Sequence, residues 1–295
     1  MNTQEIFDFS LVDVKLTEPS GYSEELRAGD TRQALFDVCG DASRDFPDKM
    51  WVDPKDWVHK SEENDALNTW PINFIDRFTN QNPTHECTCH SLRANAEAAR
   101  NRQRGIIFPD GPKKGHRYAT SSKGSVWLSP LSVYAEANPG IRGGAGVRQV
   151  LEIAVRRGML PETIQPFDYP IKHKIVGTQG GGNSNQSSGA WVPLSKFPEG
   201  WKETAKWFKP LEVIFPESWE QAVSLVLNGY VVSVGRSGHA IPWSFWNAKE
   251  KVMGYVDSYD IIRYDSLRTV QSAWQGSFAI ATMTTPDDWL KPAGV

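Results

Sequence analysis

A run of sixteen residues without glycine or proline, which starts at Cys89, constrains the fold of this chain more than any other segment. The run reads CHSLRANAEAARNRQR, is rich in residues of high helix propensity and stops at Gly105. Leu92, Ala96 and Ala99 recur in it at the spacing of one helical face. The pattern predicts a long helix over residues 89–104 that packs along one side against a core.

Helical patterns dominate the first half of the chain, and strand patterns dominate the second half. A second apolar stripe at helical spacing ends at Gly158 and consists of Val147, Val150, Leu151 and Ala154. Ser218 is suited to cap a third helix. After Gly229, the segments YVVSVG, HAIPWSFW, KVMGYVDSY and GSFAIATM are rich in β-branched and aromatic residues. This order favours an α+β protein with two lobes.

Composition divides the 295 residues into three parts. Residues 1–50 are poorly periodic and predict an extension that packs on the main body, with one short helix near Thr31–Cys39. Residues 51–178 predict a helical lobe and residues 179–295 a β-rich lobe. The β-rich part begins with the loop QGGGNSNQSSG at 179–189, whose glycine and serine content predicts flexibility. That loop lacks the Lys-Ser or Lys-Thr pair of a phosphate-binding loop.

Charge and hydropathy exclude several classes of protein. The chain has 32 Lys and Arg against 35 Asp and Glu, and a net charge of −3 argues against a general nucleic-acid binder. The sequence has no run of about 18 apolar residues to span a membrane, and MNTQEIFDFS lacks the pattern of a secretory signal. Three cysteines are too few for a disulfide framework, so we expect a cytoplasmic location. The 12 tryptophans favour aromatic core packing over a sugar-binding groove.

Cys89 is the first candidate for a reactive side chain, because it lies where a loop ends and the predicted long helix begins. The positive end of the helix dipole and the free backbone N–H groups lower the pKa of a thiol there and favour the nucleophilic thiolate. An inert, buried cysteine would fit the same position. This segment alone does not decide between the two.

His239 and Asp257 are the candidate partners of that thiol. Among six histidines, His239 lies between two strand patterns and 150 residues after Cys89. This separation is within the roughly 130–150 residues typical of one class of cysteine nucleophile and its histidine base. Asp257, eighteen residues further on, is placed to accept the second ring N–H of His239 and to set its tautomer. Taken alone, Asp257 would equally fit a surface turn.

The same segment also offers metal ligands, since six residues hold His85, Cys87, Cys89 and His90. Structural zinc usually draws two ligand pairs with C-x₂₋₄-C spacing from separate segments, whereas this segment has C-x-C. Haem attachment requires C-x-x-C-H, and the spacing here is one residue short. A C-x-C redox pair is an alternative, but the sequence predicts no metal and no cofactor.

The candidate residues stand in the order found in the papain-like cysteine peptidases, which this chain resembles over residues 56–280. The similar features include an Asn-Gln pair before the cysteine, two glycines before a helix and a His-Ala pair after a strand. The matching segments are Asp56-Trp57, Asn80-Gln81, Cys89-His90-Ser91-Leu92, Leu128-Ser129-Pro130, Gly143-Gly144, Phe167-Asp168-Tyr169-Pro170, Val231 to Ala240 and Asp257-Ser258-Tyr259. No single segment is specific, and the resemblance rests on their common order.

The sequence departs from the family pattern at four points. The family's glutamine usually precedes the cysteine by about six residues, whereas Gln81 and Cys89 are eight residues apart. Cys87 would restore the usual spacing, but Thr-Cys-His follows it instead of an apolar helix start, so Cys89 is the preferred nucleophile. The other departures are His90 and Tyr259 at positions where Trp is usual, and Asp257 where Asn is usual.

The resemblance implies a papain-like thiol peptidase or amidase that acts on a peptide or protein and needs no cofactor. The roles it implies are Cys89 as nucleophile, His239 as base, Asp257 as the residue that orients His239, and Gln81 as oxyanion donor. It implies substrate contacts at Gly143, Gly144, Gly238 and Ala240. Residues 1–50 would then be a pro-segment or a packing arm.

Two other functions fit the same resemblance. The departures at His90, Tyr259 and the oxyanion loop are compatible with a papain-like fold that serves as a binding or structural module. A peptidoglycan-directed amidase or endopeptidase of bacterial or phage origin is the other alternative, for which we expect a virion-associated location.

Overall fold

Most helices of the described chain precede residue 160, and most strands follow residue 210. The computed structural model describes residues 9–13, 22, 24–79, 81, 85–112, 125–137, 144–161, 194–197, 199–236, 238–259 and 261–284. The helices are α1 (Glu24–Gly29), α2 (Arg32–Cys39), α3 (Trp57–Leu67), α4 (Cys87–Gln103), α5 (Pro130–Ala137), α6 (Val147–Arg157), α7 (Trp201–Ala205), α8 (Trp219–Leu227) and α9 (Leu267–Ala273). The strands are β1 (Ser43–Asp45), β2 (Pro210–Phe215), β3 (Val232–Arg236), β4 (His239–Asn247), β5 (Val252–Asp257), β6 (Ile261–Ser266) and β7 (Ala279–Met283). The predicted α+β class is confirmed.

Helix α4 is the predicted central helix, and it begins two residues before the predicted start. Fifteen of its seventeen residues are buried, so it is covered on all sides and not on one face as the sequence pattern predicted. Leu92 and Ala96 belong to a core with α5 and α6, whereas Ala94 and Ala98 belong to a core with the sheet strands. The alanines allow this close approach because they add little volume beyond the helix backbone.

Asn95 fixes the position of α4 against the sheets. Its side-chain amide donates to Ser233 Oγ at 3.1 Å and to the Phe278 carbonyl at 3.2 Å. Its side-chain oxygen accepts from the Ile280 backbone N–H at 2.9 Å. These bonds tie the helix to β3 and to the start of β7, so they set how far its N-terminal end reaches along the sheet.

Two sheets form the strand-rich part. The order β3-β4-β5-β6 makes a four-stranded antiparallel sheet, and the order β1-β2-β7 makes a three-stranded sheet in which β1 is parallel to β2. In the larger sheet, β4 begins at His239, opposite Arg236 of β3, and β5 ends at Asp257. Because β4 and β5 are antiparallel, the first residue of β4 and the last residue of β5 lie at the same end of the sheet.

The described part of the N-terminal extension is integrated into the fold. Helix α2 forms where a short helix was predicted, and Thr31 caps it by accepting from Ala34 N–H. Strand β1 extends the smaller sheet. Asp30 accepts the backbone N–H groups of Val147 and Arg148 at 2.7 Å each, which binds the extension to the start of α6. The division into parts at residues 1–50, 51–178 and 179–295 stays a prediction, and the glycine-rich loop at 179–189 lies outside the described residues.

Buried tryptophans support the aromatic packing expected from the composition. Trp57 meets the rings of Trp219 and Trp246 edge to face, with centroids 5.5 Å away in both pairs. Such pairs add roughly 0.5–1.5 kcal/mol to the effect of buried area. Among the described residues, no helix is both long and apolar enough to cross a membrane.

Gly254 of β5 provides a test of this packing. A Cβ atom there would lie 2.0 Å from the Phe245 ring, whereas a Cβ at Gly29 would meet nothing within 4 Å. We expect Gly254→Ala to lower the free energy of unfolding by about 1–3 kcal/mol because the buried ring must shift. Chemical denaturation measures this, with Gly29→Ala as a control expected within about 0.5 kcal/mol of the wild type. Equal stabilities of the two variants would contradict the packing described.

Candidate active site

The best-defined polar pair of the site is His239 with Asp257. His239 Nε2 lies 2.8 Å from Asp257 Oδ1, and both side chains are almost fully buried. The antiparallel pairing of β4 and β5 brings these two residues together although eighteen positions separate them in sequence. The contact predicted between His239 and Asp257 therefore exists in the structure.

The environment of His239 favours its protonated form. Burial by itself would lower its pKa, but the charge of Asp257, the hydrogen bond to Asp257 and the proximity of Cys87 raise it to about 9. A buried imidazolium is otherwise costly, so the carboxylate is the main compensation for its charge.

Cys87, and not Cys89, is the cysteine beside His239. The Cys87 side chain is within interaction range of the His239 ring. Because Nε2 is engaged by Asp257 and Nδ1 has no hydrogen-bond partner among the described residues, Nδ1 is the ring nitrogen that remains for the thiol. The expectation that Cys89 faces the imidazole is corrected.

The physical reason for this correction is the true start of α4. Successive residues of an α-helix are rotated by about 100°, so residues two apart point to nearly opposite sides and only one of the two sulfurs faces the sheet. Cys89 is fully buried in the same hydrophobic cluster as Cys87, but the groups that act on its pKa are Glu86, Thr88, Cys87 and Arg157, and not His239. Burial and the negative charge of Glu86 raise its pKa well above the usual value, which is the behaviour of an inert thiol.

Gln81 is held directly over the end of β5. Its backbone N–H donates to the Ser258 carbonyl at 2.7 Å, and the Ser258 hydroxyl donates to Gln81 Oε1 at 2.5 Å. Ser258 follows Asp257, so one short segment positions both side chains. Gln81 and Cys87 are six residues apart. The two extra residues expected before the cysteine therefore arise only when the spacing is counted to Cys89.

Tyr259 lies against the ring of His239 with centroids 5.6 Å apart and an angle of 24° between the rings. It stands where the resemblance places a Trp, and this stacked arrangement also covers the imidazole.

The predicted substrate contacts are only partly described. Gly143 lies outside the described residues, whereas Gly144 is half-buried three residues before α6. Gly238 has a φ of 74°, a left-handed conformation that favours glycine, in the two-residue turn between β3 and β4. Ala240 is buried next to His239 and pairs with Gly235 of β3. The positions of Gly238 and Ala240 are therefore close to the imidazole, as the sequence order requires.

Sequence reasoning missed a buried polar cluster that joins Thr79 to three residues of α4, which are His90, Arg93 and Glu97. His90 Nδ1 lies 2.8 Å from Thr79 Oγ1, and the Arg93 guanidinium donates to Thr79 Oγ1 at 3.4 Å and to Glu97 at 2.6 Å. Burial and the charges of Arg93 and Arg77 hold the pKa of His90 well below its usual range. The lowered pKa favours a neutral His90 ring, which shares a hydrogen bond with the Thr79 hydroxyl. The Arg93–Glu97 spacing of four residues was the available signal.

The N-terminal extension reaches this site through Tyr22. The Tyr22 ring fills the space over Gly235, where an added Cβ would lie 2.3 Å from the Tyr22 hydroxyl oxygen. The hydroxyl donates to Asp30 Oδ2 at 2.9 Å. Burial and the charge of Asp30 raise the pKa of Tyr22, with a smaller contribution from Cys87. Tyr22 is therefore packed on β3 next to the site, close enough to Cys87 for the two side chains to influence each other.

Metal binding has no support within the described residues, since no three His, Cys, Asp or Glu side chains there converge as a ligand set. His85 precedes α4, and the helix points Cys87, Cys89 and His90 in different directions.

Solved structures share this architecture although the sequences have diverged. Xylellain, a cysteine protease from Xylella fastidiosa, is similar to this chain with a TM-score of 0.53 and 13% identity over 91% of this chain and 98% of its own. The chain has the papain-like fold. No protein-family model and no curated protein sequence matches it.

Two further structures of this fold are less similar. A procathepsin B from Trypanosoma congolense gives a TM-score of 0.47 and 8% identity over 86% of this chain and 89% of its own. Procathepsin L 3 from the larval midgut of Tenebrio molitor gives 0.45 and 11% over 71% and 67%. The assignment of the papain-like fold rests on xylellain.

Asp257→Asn tests the electrostatics of the site. Without the carboxylate, we expect the pKa of His239 to fall from about 9 toward or below the ordinary 6.5, measured by NMR titration of the ring. Since the folded-state pKa is raised, His239 stabilises the fold fully below pH ~6.5, and this stabilisation is lost as the pH rises through about 9. Asp257→Asn should therefore flatten the fall in unfolding free energy over this window, and an unchanged slope would refute the assignment.

Proposed function

We propose that this protein is a thiol hydrolase of peptide or amide bonds in which Cys87 is the nucleophile, His239 the general base and acid, and Asp257 the residue that orients His239. One observation carries the proposal. Cys87 stands at the N-terminal end of α4 beside the Nδ1 side of His239, whose Nε2 is held by Asp257 at 2.8 Å. Nucleophile, base and orienting carboxylate thus form a connected series, which is the geometric signature of this chemistry.

The first half-reaction forms a thioester. Cys87 transfers its proton to His239, and the thiolate attacks the carbonyl carbon of the substrate while the C=O π electrons move to the oxygen. The helix N-terminus favours the thiolate, and Asp257 favours the imidazolium. As the tetrahedral intermediate collapses, the C–N bond breaks and His239 protonates the leaving amine.

The negative oxygen of the intermediate requires hydrogen-bond donors. The backbone N–H of Cys87 is one of the first N–H groups of α4, which have no partner within the helix. The Gln81 carboxamide is the second donor we propose, since Ser258 binds its oxygen and so orients the NH₂ group the other way. A preorganised donor of this kind is typically worth about 3 kcal/mol in the transition state.

The second half-reaction releases the acid. Neutral His239 takes a proton from water, and the resulting hydroxide attacks the thioester carbon. The C–S bond then breaks, and the proton returns from His239 to Cys87, so the enzyme ends as it began. No redox partner or metal is needed to balance these steps.

An extended peptide or protein segment is the substrate class we propose. Gly144 and Gly238 have no side chain to keep a peptide backbone away, and a strand-like substrate would hydrogen-bond to exposed backbone groups near them. Ala240 is small and leaves space beside His239. These roles, and the proposed role of Gly143, extend the family resemblance to the positions of this chain.

The non-catalytic alternative has one observation in its favour. Cys87, His239, Asp257 and Gln81 are all at most 1% exposed, so the site is closed in this structure. We propose that the N-terminal extension accounts for this closure through Tyr22, as a packing arm laid beside the cysteine. A binding module would keep the site closed after that arm is removed.

Alkylation identifies the reactive cysteine. We expect Cys87→Ala to abolish labelling by an electrophilic peptide and to reduce amide hydrolysis by ~10³-fold or more, because the nucleophile is lost. The matched control is Cys89→Ala, which removes a neighbouring buried sulfur and should retain labelling. Labelling that survives in Cys87→Ala and disappears in Cys89→Ala would assign the chemistry to the other cysteine. An ordinary thiol reactivity of Cys87 across the pH range would favour the binding module.

Tyr22 tests the proposed closure. We expect Tyr22→Ala to increase the rate of Cys87 alkylation by iodoacetamide about tenfold or more, since losing the ring exposes the site, at a stability cost of roughly 2–5 kcal/mol. Tyr22→Phe keeps the ring and loses only the hydroxyl bond to Asp30, so it should react nearly as slowly as the wild type. If the alanine variant is folded by circular dichroism and reacts no faster, the arm does not close the site.

A further inference from the structure

The second carboxylate oxygen of Asp257 faces a cation that the resemblance does not predict. Arg263 Nε lies 2.7 Å from Asp257 Oδ2, while Asp257 Oδ1 is engaged by His239. Asp257 is fully buried, and the Arg263 side chain is 14% exposed. The carboxylate therefore lies between the imidazole on one side and a guanidinium on the other.

The sheet register places Arg263 there. Tyr255 of β5 is directly opposite Arg263 of β6, and Asp257 is two positions further along β5. Residues two apart on a strand point to the same face, so Asp257 and Arg263 form a diagonal cross-strand pair. Strand pairing, and not a flexible surface contact, sets their separation.

Other charged or titratable groups lie near Asp257, Arg263 and His239. They are Arg236 of β3, which pairs with Asp265 of β6, Tyr255 of β5, and Cys87 and His90 of α4. Arg236 also acts on Asp257 through its charge, but its own ion pair is with Asp265. Among the described residues, Arg263 is the arginine in ion-pair contact with the Asp257 carboxylate.

The negative charge of Asp257 affects how readily His239 releases its proton, and the positive charge of Arg263 opposes that effect. A buried carboxylate left alone with an imidazole takes a share of the proton or holds the imidazolium so firmly that it no longer gives the proton up. General acid catalysis requires that transfer to the leaving amine. A cation on the far side of the carboxylate offsets part of its negative charge and so weakens its hold on the imidazolium proton.

We propose that Arg263 is a positioning residue of the active site: it neutralises Asp257 from behind, so that the Asp257–Arg263 pair acts on His239 like a neutral hydrogen-bond acceptor. This inference rests on the proposed function, since it assigns a role in the same proton transfer. It accounts for an acidic residue at a position where the family resemblance leads one to expect a neutral amide.

The direct test is an NMR titration of His239 in a Cys87→Ser background, where no reaction occurs and the thiol does not titrate. We expect Arg263→Gln to raise the pKa of His239 by about one pH unit, because loss of a nearby positive charge favours the protonated ring. Glutamine keeps a polar side chain beside Asp257 while it removes the positive charge. Arg263→Lys should restore the pKa to within a few tenths of the wild-type value, and Lys249→Gln, at an exposed lysine beyond β4, should leave it unchanged.

A double-mutant cycle separates charge from simple structural damage. In an Asp257→Asn background, Arg263→Gln should change the pKa of His239 by less than half as much, because the carboxylate that Arg263 neutralises is gone. An equal shift in both backgrounds, or no shift in either, would overturn the proposal. If Arg263→Gln does not fold, the variants Arg263→Lys and Asp257→Asn/Arg263→Gln test the proposal instead. A charge role predicts that His239 in the Arg263→Lys variant titrates like the wild type, and a clear shift of its pKa there would overturn the proposal.

Kinetics provide a second readout in the full chain. The alkaline limb of kcat/KM, or of the Cys87 alkylation rate, should move to higher pH by the same amount in Arg263→Gln, with KM little affected. If Cys87→Ala abolishes labelling and this limb stays in place, the role of Arg263 fails while the proposed function stands. If the His239 titration shifts as expected and Cys87 is unreactive, the proposed function fails while the electrostatic role of Arg263 stands.

Discussion

The structure depends on the contact between the N-terminal end of α4 and the edge of the larger sheet. The helix brings Cys87 with a partial positive charge behind it, and the sheet brings His239 with Asp257 at 2.8 Å. A helix N-terminus stabilises a thiolate and opposes a nearby imidazolium. Asp257 offsets the second effect, because its negative charge favours the protonated form of His239.

This contact places strict demands on the position of α4. Asn95 meets them with bonds to both sheets, at Ser233 Oγ, the Phe278 carbonyl and the Ile280 N–H. Burying a polar amide in a helix core is costly unless each of its hydrogen-bonding groups is satisfied. These hydrogen bonds also define the position of α4 along the sheet, because apolar packing is not directional.

Buried charges on both sides of the site follow one rule. Arg93 and Glu97 of α4 form an ion pair at 2.6 Å, and Asp257 of β5 forms an ion pair with Arg263 of β6 at 2.7 Å. Each pair is nearly or fully buried, and removing one member would leave an uncompensated charge. Because β5 and β6 contribute Asp257 and Arg263 through their register, the electrostatics of the site depend on the strand pairing of the sheet.

The choice of cysteine shows where reading the sequence reaches its limit. A helix boundary is uncertain by about two residues from pattern alone, and two residues are the distance between Cys87 and Cys89. On a helix this small difference turns a side chain to the opposite side. The glutamine spacing indicated Cys87, but the apolar pattern of the helix indicated Cys89, and only the packed position of α4 decided between them.

The sequence by itself determined the α+β class, the central helix, the short helix after Thr31 and the pairing of His239 with Asp257, because these follow from local periodicity, capping and the order of motifs. Only the tertiary structure showed that Cys87 is the cysteine near the imidazole, that Tyr22 lies near Cys87, and that Arg263 forms an ion pair with Asp257. The first two contacts join residues distant in sequence through helix rotation and chain packing, and the third depends on the register between β5 and β6, none of which is encoded in a local pattern.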